Sequence, residues 1–119
     1  MIATVSEPRT TLDVPALTGT WKNTNAASRG VTQLDIAVDG SELRISAQGW
    51  GSTSGHPYSV DGFDCREALA FNCVFDLGDR DVRLQANIKA GVLVIVFLIR
   101  FHDDRTNLFT REFYYRSAQ

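Results

Sequence analysis

The chain has 119 residues, 44% of them hydrophobic and 22% charged, which is the composition of one packed domain and excludes a chain disordered throughout. With 12 Lys plus Arg against 14 Asp plus Glu the net charge is −2, and the basic residues are scattered singly, so no nucleic-acid partner is expected. The longest apolar run, 91–99, is about half the roughly 20 residues of a spanning helix, and MIATVSEPRT has no basic stretch followed by an apolar core; a cytoplasmic chain without a membrane partner is expected.

Residues 1–16 carry Pro8, Pro15 and several Ser and Thr without a sustained period, and read as a flexible N-terminal arm ahead of a single domain over 17–119. From Leu17 onward, short β-branched and aromatic runs alternate with Gly, Asp and Asn clusters at intervals of roughly 8 to 14 residues, the spacing of strands in an all-β barrel or sandwich. About eight such runs follow one another, and none sustains a helical period; a single helical turn fits only around 66–69.

Two hairpins can be registered because side chains alternate faces along a strand. A turn at Asp39-Gly40 sets Ile36 opposite Leu43 and Leu34 opposite Ile45 on an apolar face, with Asp35 opposite Arg44 on the other. A turn at Ala90-Gly91 sets Ile88, Ala86 and Leu84 opposite Leu93, Ile95 and Phe97, with Arg83, Gln85, Asn87 and Lys89 outward. Extending this across 102–108 with Phe101 opposite Phe109 sends Arg111, Phe113 and Tyr115 inward. Val94, Val96, Leu98 and Tyr114 are then left as an outer apolar stripe, which predicts a homo-oligomer interface there or coverage by the N-terminal arm. A meander with short connections closes most economically into an eight-stranded antiparallel up-and-down β-barrel, a β-sandwich being the alternative.

The segment Leu17-Thr18-Gly19-Thr20-Trp21-Lys22-Asn23 resembles the opening strand of the calycin barrels, whose G-x-W signature sets a Trp at the closed end, and is most similar to the avidin branch. The resemblance implies a cup-shaped lumen and an Arg near the last strand packed across the Trp, a place that Arg111 or Arg116 would fill. It also implies ligand contact for Asn23 and Ser28, which stand where avidin-like proteins carry part of their biotin-binding set. The other Trp residues of that pocket have no counterpart beyond Trp21 and Trp50, so the implied ligand is not biotin.

Trp21 and Phe97 are expected on the lumen wall, as core plugs or ligand contacts, and Asn23, Thr32, Arg111, Phe113 and Tyr115 beside them, where a few polar groups among apolar walls suit a small molecule. The glycine-rich stretch 49–64 reads as a loop at the rim, offering Trp50, His56, Tyr58 and Asp61. His56, Arg111 and Tyr115 are the candidates for catalysis, although His56 has no motif partner and reads first as a solvated loop residue. Glu112 reads as an outer-face ion-pair member. His102, Asp103 and Asp104 do not converge as metal ligands, and Cys65 and Cys73, lacking CxxC spacing, read as reduced thiols or as neighbours across a hairpin centred on Leu69. Neither a metal nor a cofactor is expected.

These residues support three expectations. The first is a barrel that binds a small, mostly apolar molecule in its lumen. The second is a cofactor-free cyclase or isomerase of natural-product biosynthesis, orienting a polyene or polyketide in the same space and leaving no catalytic motif. The third is a structural protein with a filled core that acts only through its outer stripe.

Overall fold

In a computed structural model that describes residues 13–61 and 67–117, most strands form where apolar and polar residues alternate between turn clusters. The strands are β1 (Gly19–Asn23), β2 (Gln33–Asp39), β3 (Glu42–Ala47), β4 (Gly51–Asp61), β5 (Glu67–Asp76), β6 (Arg80–Lys89), β7 (Val92–Phe101) and β8 (Leu108–Arg116). Each pairs antiparallel with its neighbours in sequence, and β8 returns to pair with β1, so the sheet closes as an up-and-down barrel and not a sandwich. Closure gives every strand a hydrogen-bonded neighbour on both sides.

The β6–β7 hairpin has the expected register, with Ile88, Ala86 and Leu84 opposite Leu93, Ile95 and Phe97. Ala90 and Gly91 adopt φ +53° and +80°, the positive pair that a type I′ turn requires. In the β2–β3 hairpin the turn lies one residue later, at Gly40-Ser41, so Ile36 stands opposite Ile45 and Leu34 opposite Ala47. That displaces each partner by two residues, an even number, and the buried face is unchanged. The expected Asp35–Arg44 pair is replaced: Arg44 lies 3.6 Å from Asp39, and Asp35 accepts a 2.5 Å hydrogen bond from the Thr20 hydroxyl.

The β7–β8 register differs from expectation by three residues, an odd number, and every side chain of β8 changes face. Phe97 pairs with Thr110, Ile95 with Glu112 and Leu93 with Tyr114, so Arg111, Phe113 and Tyr115 point outward while Glu112 and Tyr114 point into the barrel. Of the expected outer stripe, Val94, Val96 and Leu98 are outside, whereas Tyr114 is fully buried. The other flank of β8 explains this parity. Trp21 pairs with Arg116, whose guanidinium sits 4.8 Å from the indole and donates to the Ala16 carbonyl, and Tyr114 donates a 2.7 Å bond to the Val31 carbonyl.

The stretch expected as a rim loop is largely strand β4. Thr53, Gly55 and Pro57 face inward, opposite Ile45, Leu43 and Phe71 on the neighbouring strands, while Ser52, Ser54, His56 and Tyr58 face outward. Glycine suits position 55 because a β-carbon there would stand 2.2 Å from Ile45 Cδ1 and would force that buried side chain to move. Pro57 lies where β4 has run past β3, the kind of partly unpaired position that tolerates proline. Residues 67–69 continue β5, with Leu69 opposite Ser59, so neither a helical turn nor a Cys65–Cys73 hairpin forms around Leu69. Cys73 is a buried free thiol, and Cys65 lies outside the described residues.

One end of the barrel is sealed from below by a 3-10 turn, Val14–Leu17, whose Leu17 carbonyl accepts a 3.0 Å bond from the Trp21 indole N–H. The last residues of the expected arm therefore belong to the packed domain; 1–12 lie outside the described residues. Above Trp21 the interior is filled by Leu34, Leu43, Ile45, Phe71, Leu84, Leu93, Ile95, Phe97 and Tyr114, each 0–2% exposed. Dispersion contacts and removal of this apolar surface from water hold the closed sheet together.

Candidate functional site

The strand directions place the β1–β2 loop, the turn carrying Trp50, the β5–β6 turn and the β7–β8 loop at the end of the barrel away from Trp21. Here the interior changes character. Trp50 folds over the apolar interior, its ring centroid 5.4 Å from Phe75 and 6.0 Å from Phe97, both edge-on. It is half-buried, the turn that carries it being bounded by Gly49 and Gly51 at φ +86° and +87°.

On the opposite wall the last residue of β1 and the middle of β8 converge on one carboxylate. Glu112 Oε1 accepts 2.6 Å from Asn23 Nδ2 and 2.5 Å from Ser28 Oγ, while Asn23 also donates 3.1 Å to the Val31 carbonyl. The loop is shaped to deliver these donors: Asn23 Oδ1 accepts from the Asn25 N–H and Ser28 Oγ from the Gly30 N–H. Gly30 passes so close that a β-carbon there would stand 2.7 Å from Glu112 Oε2. No Lys, Arg or His lies within ion-pair distance of Glu112, and no hydrogen-bond donor reaches Oε2, among the described residues.

Tyr114 stands two residues along the same face. Burial pushes its phenol above the usual range, the Glu112 charge adds to this, and hydrogen bonding with Asn23 opposes it. It is therefore a neutral donor throughout the physiological range. No buried side-chain nitrogen or oxygen among the described residues lacks a partner.

Of the expected site residues, Trp21, Asn23 and Phe97 are inside and buried, but Trp21 and Phe97 are packed members of the core. Trp50 is at the rim. Arg111, Phe113 and Tyr115 are on the outer wall, and Tyr58 is also outside, stacked 6.4 Å from His56, whose Nδ1 lies 3.1 Å from Glu42. Thr32 donates to Gln48. Asp61 ends β4, opposite Glu67. The Trp partner is Arg116 and not Arg111.

The β7–β8 loop is tied down by ion pairs: Arg105 binds Asp103 and Asp79, and Arg80 and Arg105 lie 4.7 and 4.2 Å from the Phe101 ring centroid. These arginines hold Asp79 and Asp103 below the usual carboxylate range, so Asp103 is already engaged and no metal-binding cluster occurs among the described residues. Glu112 and Tyr114, expected on the outer face as an ion-pair member and as part of the apolar stripe, are inward instead and are the site residues missing from the sequence expectation. The usable signal was the choice between Arg111 and Arg116, which lie five positions apart and so on opposite faces of one strand. No protein-family model, curated protein or solved structure matches this chain, so the site is known from its own geometry.

Proposed function

We propose that this chain is a small-molecule-binding barrel of calycin-like type whose site lies at the Trp50 end, with Glu112 as its polar anchor. The observation that carries this reading is a carboxylate on the inner face of an apolar barrel, one oxygen fixed by two donors and no cation opposite it among the described residues. A part-buried carboxylate held by neutral donors and facing no counter-charge keeps an oxygen available to a ligand's donor. Its complement is a mostly apolar molecule ending in an N–H donor or a cationic nitrogen, bound by a charge-assisted hydrogen bond.

Because the waist is filled, the ligand occupies the space that Trp50 covers, its apolar part against Phe75 and Phe97 once the indole swings aside. The Trp21–Arg116 stack at the other end supports the calycin resemblance. Glu112 is also the group that an orientation-driven cyclase or isomerase would use as its base, which gives the second reading a specific residue.

The test is native mass spectrometry of the chain purified from its own host, beside the Glu112→Leu variant. Wild type is expected to carry a small molecule that denaturation releases, and the variant to lose it while remaining folded; the unsatisfied donors cost about 1–2 kcal/mol of stability. A bare wild-type chain, whose melting temperature a panel of apolar amines leaves unmoved, contradicts the proposal. Retention of a rearranged product selects the cyclase reading.

A further inference from the structure

The outward side chains of β7 and β8 form four rows. Val92 stands beside Tyr115, Val94 beside Phe113, Val96 beside Arg111 and Leu98 beside Phe109. Leu98, Phe109, Phe113 and Tyr115 are 40–67% exposed, an apolar face of the kind that marks association sites on soluble proteins. Arg111 interrupts it. Its guanidinium lies 5.8 Å from the Phe113 ring centroid, and no carboxylate pairs with it among the described residues.

We infer that this face is the docking surface for a second copy of the chain, related by a two-fold axis lying in the interface and perpendicular to the strands. An isologous contact must place each residue on a partner that suits it in both directions. This rotation turns the rows end for end. Val92 meets Leu98 of the other copy, Tyr115 meets Phe109, Val94 meets Val96, and Phe113 meets Arg111. Aliphatic groups fall on aliphatic, the two exposed rings meet, and the guanidinium stacks on an aromatic face, where it loses little on leaving water.

Rotation about an axis along the strands gives a different set. It lays Arg111 on Val96, desolvating a cation against a side chain with nothing to accept its hydrogen bonds. The pattern of the four rows thus selects both the partner and the orientation. On β6, next to the stripe, Asn87 and Gln85 come face to face as two amides able to bond. At the rim Lys89 approaches Arg83, a like-charged contact that solvent and salt screen. The interface lies on the outer wall and the ligand site on the inner one, and both depend on the same orientation of β8.

Sedimentation equilibrium of the full chain tests it. Wild type is expected to dimerise, and Phe113→Lys, which sets two cations against each other, to weaken the dimer by about 30-fold or more, the loss typical of a central interface residue. Arg111→Glu alone also weakens it. Mixed together, Arg111→Glu and Phe113→Lys chains are expected to form a heterodimer, because the new carboxylate of one faces the new ammonium of the other. All these positions are on the outer wall, so circular dichroism of each variant should match wild type. A monomeric wild type, a Phe113→Lys chain that dimerises as before, or a mixture that fails to pair would each overturn the inference.

Discussion

Arg111 and Arg116 carry the same charge on the same strand and do opposite jobs. Arg116 stacks on Trp21 at 4.8 Å and donates to the Ala16 carbonyl, tying β8 to the 3-10 turn; Arg111 reaches only the outer face. Arg116→Ala is therefore expected to destabilise the barrel by about 1–2 kcal/mol, the loss of a cation–π contact together with a charged hydrogen bond. Arg111→Ala should stay within about 0.5 kcal/mol, measured by chemical denaturation at a concentration where the chain is monomeric. Trp21 and Asn23 were legible because the G-x-W segment fixes their face directly. Glu112 was not, since its role depends on the side of β8 that meets Trp21, and the sequence offers two arginines for that contact.

At the scale of an element, parity decides what a strand can do, and errors of even and odd size have unequal consequences. The one-residue displacement of the β2–β3 turn moved partners by two and left the core intact, whereas the three-residue displacement in β7–β8 exchanged the walls. Strand β4 was read as a loop for another reason: its Ser, Gly and Pro lack β-propensity, and only the tertiary demand for a bare position against Ile45 makes glycine fit at 55. Two inward groups also set an alkaline limit. Burial pushes the Cys73 thiol from its ordinary 9.0 up to about 12, and Tyr114 is raised as well. Both groups stay neutral in the folded chain, so their contribution is fully present below their unfolded pKa values and is lost as pH rises through the folded ones. The melting temperature should fall as pH passes from about 9 toward 12, and Cys73→Ala should flatten that fall in a pH series of thermal melts.

For the whole molecule, the up-and-down closure followed from strands that each pair with the next, and the sequence contained that information in its regular turn spacing. How full the barrel is did not follow, because it depends on which aromatic rings enter: Tyr114 and Phe97 fill the waist, and Phe113 stays outside. The proposed ligand site and the proposed dimer face stand on the same fact, that β8 presents Glu112 and Tyr114 inward and Arg111, Phe113 and Tyr115 outward. The most direct measurement is a carbon-edited nuclear Overhauser spectrum of the labelled chain. The inward placement of Glu112 and Tyr114 predicts cross-peaks from the Asn23 side-chain amide to the Glu112 methylenes, and from the Tyr114 ring to Val31. Cross-peaks joining the Phe113 ring or the Arg111 side chain to core residues such as Leu34 or Phe97 would contradict it, and with it both the anchor and the interface.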